Sequence, residues 1–169
     1  MKHLDLLIVP VEGQRGVLNG RTMGYGAAST KVSVGQLATE EDLKRDWVMT
    51  HEMVHLAFPS VAEQHHWIEE GLATYVEPIA RVEAGDLEPQ SIWHDLVEGL
   101  PKGLPQAGDN GLDYTHTWGR TYWGGALFCT LADTRYISAR TITAACRTRC
   151  GRSSPAAVIS KSVGRLNAR

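Results

Sequence analysis

Apolar residues first cluster in "LDLLIVPV", residues 4–11, a run that reads as a strand. "TMGYGAAS" and "TKVSVGQ" read as a second and a third strand, with Gly13, Gly16, Gly20 and Gly24 marking turns. From Thr39 the pattern becomes helical. Thr39 followed by Glu40, Glu41 and Asp42 suits an N-cap with acids at the positive helix end. That helix carries Leu43, Trp47, Val48, Val54 and Phe58 and is expected to stop at Pro59. A second helix is expected from about His66 into the eighties, through "WIEEGLATYVEPIARVEAG", with a bend at Pro78. "PQSIWHDLVEG" predicts a short third helix. A Gly/Pro-rich loop, "GLPKGLPQAGDNGLD", leads to a fourth helical segment, "WGRTYWGGALFCTLADTRY". Strands first and helices afterwards predict an α+β domain.

The chain has 169 residues, enough for one domain with a real core and too few for two. At 43% hydrophobic and 21% charged it has the composition of an ordinary globular protein. No apolar run approaches the ~20 residues needed to span a bilayer, so no membrane segment is expected in this chain. "LDLLIVPV" is too short for a signal peptide's apolar region and carries Asp5. A cytoplasmic location is the default expectation unless an upstream leader or domain is missing.

The net charge of −2 hides an asymmetry. All 19 acidic residues lie at or before Asp133, and eight Lys or Arg with no acid follow it. A basic arm can mark a nucleic-acid binder. Here no aromatic is interleaved with the arginines and no nucleic-acid motif is present, so no such partner is expected. Residues 1–140 are expected to form the domain and 141–169 a basic, poorly packed tail. From about Thr141 the tail resembles an out-of-frame translation. Its 3.6 period fades after "ALFCTLADTRYI". Permitted codons in the neighbouring frame also allow a capped, apolar-periodic helix with a Gly-Gly stop. Cys129, Cys146 and Cys150 give neither a disulfide framework nor a zinc ribbon, and are expected to be free thiols.

The chemistry is concentrated in "VMTHEMVHLAF". His51 and His55 lie one helical turn apart, so both imidazoles can reach one metal ion. Glu52 is rotated by about 100° from His51. It flanks the metal and can take a proton from a bound water. The alternative is two satisfied polar histidines on one helix face. A zinc site needs a third protein ligand, and His65, His66, Glu69 and Glu70 are the downstream candidates. The extended pattern HExxHxxGxxH is absent, since Phe58 and Val61 stand where Gly and His are required. A carboxylate on the next helix is therefore expected.

"WIEEGLATYVE" resembles the second helix of gluzincin metallopeptidases, including the aminopeptidase branch and the small bacterial peptidase-MA-like domains. Their pattern is HExxH, a gap, then an (N/E)EGxAxY helix. The resemblance implies a zincin-like catalytic domain, a single zinc ion and a peptide or protein substrate. It makes Glu70 the third ligand and Glu69 its competitor. The gap of 14 residues between His55 and Glu70 is shorter than in the aminopeptidase branch. Gly71 is expected to let the two helices pack closely. "RTYWGGALF" is similar to the PYEKGxAL stretch of the same enzymes, which implies that Tyr122 donates to the oxyanion; the alternative is a tyrosine packed beside Trp118 and Trp123. Aminopeptidases also carry a Gly-x-Met-Glu-Asn strand that grips a free amine. The matching "GYGAAS", Gly24 to Ser29, has no acid, so only backbone pairing with a peptide is expected there.

The expected roles are thus His51, His55 and Glu70 on zinc, Glu52 as base and Tyr122 at the oxyanion. The competing expectation is a zincin-fold binding module without turnover, which would not need Glu52. His65 and His66 read as exposed residues at a helix start. Trp47, Trp67 and Trp93 read as core or packing residues, with a place in a substrate pocket as the alternative. Glu77, two turns from Glu70, is either a partner orienting a ligand histidine or an exposed charge.

Overall fold

The computed structural model describes residues 3–23, 28–115 and 117–149, with side chains in the last helix described as far as Ser138. Strands β1 (Asp5–Val11), β2 (Val17–Met23) and β3 (Ser29–Gly35) form one sheet in the order β1-β3-β2. β1 runs parallel to β3, with Asp5 opposite Ser29 and Val11 opposite Gly35. β2 is antiparallel to β3, from Val17 opposite Val34 to Met23 opposite Ser29, with an irregularity between Val17 and Asn19. β2 is therefore an edge strand. Mostly helices follow, so the fold is α+β.

The second strand lies earlier than its composition suggested. It spans "VLNGRTM" and ends at Met23; Gly24 to Ala27 lie outside the described residues. Gly13 and Gly16, with φ of 68° and 74°, do make the turn between β1 and β2. Gly20 sits in the middle of β2. Its missing side chain serves a close approach instead of a turn.

The expected first helix is two helices, α1 (Glu40–Arg45) and α2 (Val48–Ala57). Thr39 and Asp42 close a capping box at the start of α1. Asp46 then turns extended, with ψ of 136°. Its carboxylate accepts from the N–H groups of Val48 (3.0 Å) and Met49 (3.1 Å) and so starts α2 on a new axis. Phe58 is extended ahead of Pro59, as the steric demand of a following proline requires.

α3 (His66–Ala84) keeps Pro78 inside an unbroken helix and ends at Gly85, left-handed with φ of 83°. α4 (Pro89–Gly99) starts on a proline, which lacks an N–H that would be unpaired there. α5 (Trp118–Arg149) continues as helix beyond the point where its apolar period fades. Residues 150–169 lie outside the described residues, and with them most of the expected tail. The chain divides into two compact units, Met1–Thr130 and Leu131–Arg169, and α5 belongs to both. No described helix is long and apolar enough to cross a membrane.

Within the first unit α2 packs on β2, β3 and α3. Val32, Val48, Ala73 and Ala126 are its buried apolar residues, whereas Thr30, Ser33, His51, Glu52, Glu70, Glu77 and Arg81 are buried and polar or charged. Burial is thus spent largely on groups that need partners. The nearest neighbours of Gly71 lie on α5. A Cβ at Gly71 would lie 2.3 Å from Gly125 Cα, so α3 and α5 touch backbone to backbone there.

Candidate metal centre

His51 and His55 project from α2 toward Glu70 on α3. His51 Nε2 lies 3.0 Å from Glu70 Oε2, and His55 Nε2 lies 3.6 Å from the same oxygen. Among the described residues, these three form the one group of His, Cys, Asp or Glu whose ligand atoms all fall within 4.8 Å of each other. Two imidazoles and a carboxylate are a donor set that suits zinc, and a separation of this order leaves room for one ion between them. The two imidazoles share one oxygen.

The electrostatics follow from that geometry. Burial alone would raise the Glu70 carboxyl, but hydrogen bonds from His51 and His55 outweigh it and hold the pKa well below the usual range. Burial alone would lower the pKa of His55, but Glu70 outweighs it and the pKa is raised. Burial, with the Glu70 charge beside it, pushes the Tyr122 hydroxyl up, so it stays a proton donor. Tyr122 stacks on His51 (5.6 Å between centroids) and on Trp118 (4.8 Å), and Trp47 stands edge-on to His51.

Glu52 is 8% exposed and is outside the group of three donors. It rests against β2. A Cβ at Gly20 would lie 2.5 Å from Glu52 Cγ and 2.8 Å from Glu52 Oε1. Thr22 Oγ1 donates to the Glu52 carbonyl at 2.9 Å and meets Thr30 Oγ1 at 3.2 Å, which locks α2 to the sheet. A cleft of about 840 Å³ opens over these groups. Its walls include Gly20, Arg21 and Thr22 of the edge strand, Glu52 and His55, and His66, Glu70 and Tyr122. A second cavity of about 580 Å³ lies on the other side of Tyr122 and His51, between Trp47, Trp118 and Trp123.

The other candidates separate. Glu69 lines the same cleft but is outside the group of three donors, and it accepts from the Val61 N–H. Glu77 is buried and pairs with Arg81 at 3.0 Å; burial raises its pKa against the lowering by Arg81. Arg81 also reaches the Lys44 and Arg45 carbonyls at the end of α1. Glu77 is therefore not an exposed charge, and Arg81 rather than a histidine donates to it. Trp67 packs against Phe128 and donates to Asp113, but Trp93 is 70% exposed and Trp47 43%, against the expectation of packing residues. Cys129 is free, and burial pushes its thiol up. The side chain of Cys146, and Cys150 entirely, lie outside the described residues.

His66, named among the downstream ligand candidates and read as exposed at a helix start, is half exposed and meets Glu70. Its Nε2 lies 3.0 Å from Glu70 Oε1. The signal was in the sequence, since His66 and Glu70 repeat the four-residue spacing of His51 and His55. No family model matches this chain, and no curated protein or solved structure matches it.

Proposed function

We propose that this chain is a zinc-dependent peptide-bond hydrolase with a zincin-like domain that works by a gluzincin mechanism, one zinc per chain held by His51, His55 and Glu70. The observation that carries the reading is the convergence of both α2 imidazoles on one oxygen of Glu70, beside a cleft that Glu52 lines. A zinc ion in that set would act as a Lewis acid that makes water more acidic and polarises a carbonyl. The substrate is a peptide or protein segment that lies along the edge of β2 and pairs with its backbone. Glu52 takes the proton of the attacking water and delivers it to the leaving amine. Tyr122, kept protonated by burial and by Glu70, donates to the oxygen that gains charge in the transition state.

Two measurements test this together. Elemental analysis should find one zinc per chain, and a broad peptide library should be cleaved. Glu52→Gln should keep fold and zinc and lose roughly 10²–10⁴ in rate. Metal-free wild type, or Glu52→Gln cleaving at the unmutated rate, would overturn the assignment.

A further inference from the structure

The carboxylate of Glu70 is gripped at both ends. Oε2 faces His51 and His55, and Oε1 faces His66 Nε2 at 3.0 Å. His66 is outside the group of donors that fall within 4.8 Å of each other. It therefore touches the third ligand without joining the ligand set. We propose that His66 is a positioning residue for Glu70, and this rests on the zinc reading above. Its Nε2–H donates to Oε1 and presents Oε2 alone to the site.

The physical need is clear from the carboxylate itself. The last torsion of a glutamate is broad and two-fold, so an unheld carboxylate swings either oxygen forward or offers both. A donor fixed on one oxygen removes that freedom. The chain on either side of His66 is itself tied down. His66 is the first residue of α3, and its two neighbours, His65 Nδ1 (2.9 Å) and Trp67 Nε1 (2.6 Å), both bond Asp113. His66 can thus hold Glu70 from one turn away, on a helix start whose flanking side chains are tied to Asp113. Partners that orient a metal ligand in this way typically contribute 10–100-fold in metal affinity.

The test measures zinc affinity by competition with a chromophoric chelator in the full chain, for wild type, His51→Ala, His66→Ala and His66→Gln. His66→Ala should weaken zinc by about 10–100-fold. His66→Gln places an amide N–H at a similar reach and should recover most of that loss. Metal-free unfolding temperatures of both variants should match wild type, because the ring is 45% exposed. His66→Ala with wild-type affinity would overturn the proposal while leaving the zinc reading intact. His66→Gln as weak as His66→Ala would overturn it too, making His66 a ligand. Wild type no tighter than His51→Ala would overturn the zinc reading, and this proposal with it.

Discussion

Gly20→Ala is the sharpest probe of how the sheet holds the proposed base. The added methyl would lie 2.5 Å from Glu52 Cγ, 2.7 Å from Val48 Cγ1 and 2.8 Å from Glu52 Oε1. Carbon atoms prefer about 3.5–4.0 Å, so roughly 1 Å must be found. The strand moves away from α2, or the Glu52 side chain changes rotamer. Either way the carboxylate leaves its place. Overpacking of this kind costs about 1–3 kcal/mol. The reduced freedom of the unfolded chain returns about 0.4–1 kcal/mol, since Gly20 has no positive φ to forbid alanine. The net loss of stability is therefore modest, about 0–2.6 kcal/mol. The loss of rate should be larger, because a misplacement of 1 Å costs on the order of 10²-fold. Zinc should remain, as Glu52 is not among the three donors. The assay is kcat/KM on a cleaved peptide, with zinc content and Tm on the same samples. Wild-type kcat/KM in Gly20→Ala would refute the claim that the edge strand seats the base.

Three further outcomes are expected. Tyr122→Phe should lower kcat with little change in KM, because the hydrogen bond forms only in the transition state; a large KM effect alone would make Tyr122 a binding residue. Gly71→Ala drives a Cβ to 2.3 Å from Gly125 Cα, a backbone contact that no rotamer relieves; a cost of about 1–3 kcal/mol should lower Tm by roughly 2–12 °C, and an unchanged Tm would deny the close contact of α3 and α5. Asp42, held at about 2 first by its bond to Arg15 and then by Thr39, is more acidic folded than unfolded, so it contributes stability above about pH 4 that is lost as pH falls toward 2. Asp42→Asn should flatten the fall of Tm over that window, and an identical fall in both proteins would remove Asp42 from the acid response.

The parts of the site that could be read from the chain are those set by helical geometry within one helix. His51 and His55 share a face because four residues make about one turn, and the structure brings them together. Glu70 was reached only through a likeness to another family's helix, since nothing local ties it to His55 across 14 residues. The break at Asp46 was hidden because Thr39 and its acids already supplied a helix start, although Asp46 is itself a good cap. Gly20 and Gly71 carry no such signal. A glycine that makes a turn and one that admits a neighbouring backbone or side chain look alike in sequence, and only the partner tells them apart. For Gly20 that partner is Glu52, and for Gly71 it is Gly125.

Two buried carboxylates, 18 positions apart, end in opposite situations, and that contrast gives each its proposed part. Glu70 is surrounded by three imidazoles, and those on Oε2 hold it ionised far below the usual range. That placement suits the ligand role proposed for it. Among the described residues, Glu52 forms no ion pair with an imidazole. Its support is backbone and shape, through Thr22 on its carbonyl and Gly20 against its side chain. That support fixes its side chain at the wall of the cleft, outside the group of three donors. The sheet edge that leaves room for Glu52 also borders the cleft where a peptide would lie, so β2 has two tasks in the proposed reaction. It seats the base and aligns the bond that the base helps to break. This coupling predicts that substitutions in β2 act on rate through Glu52 even where they never touch substrate.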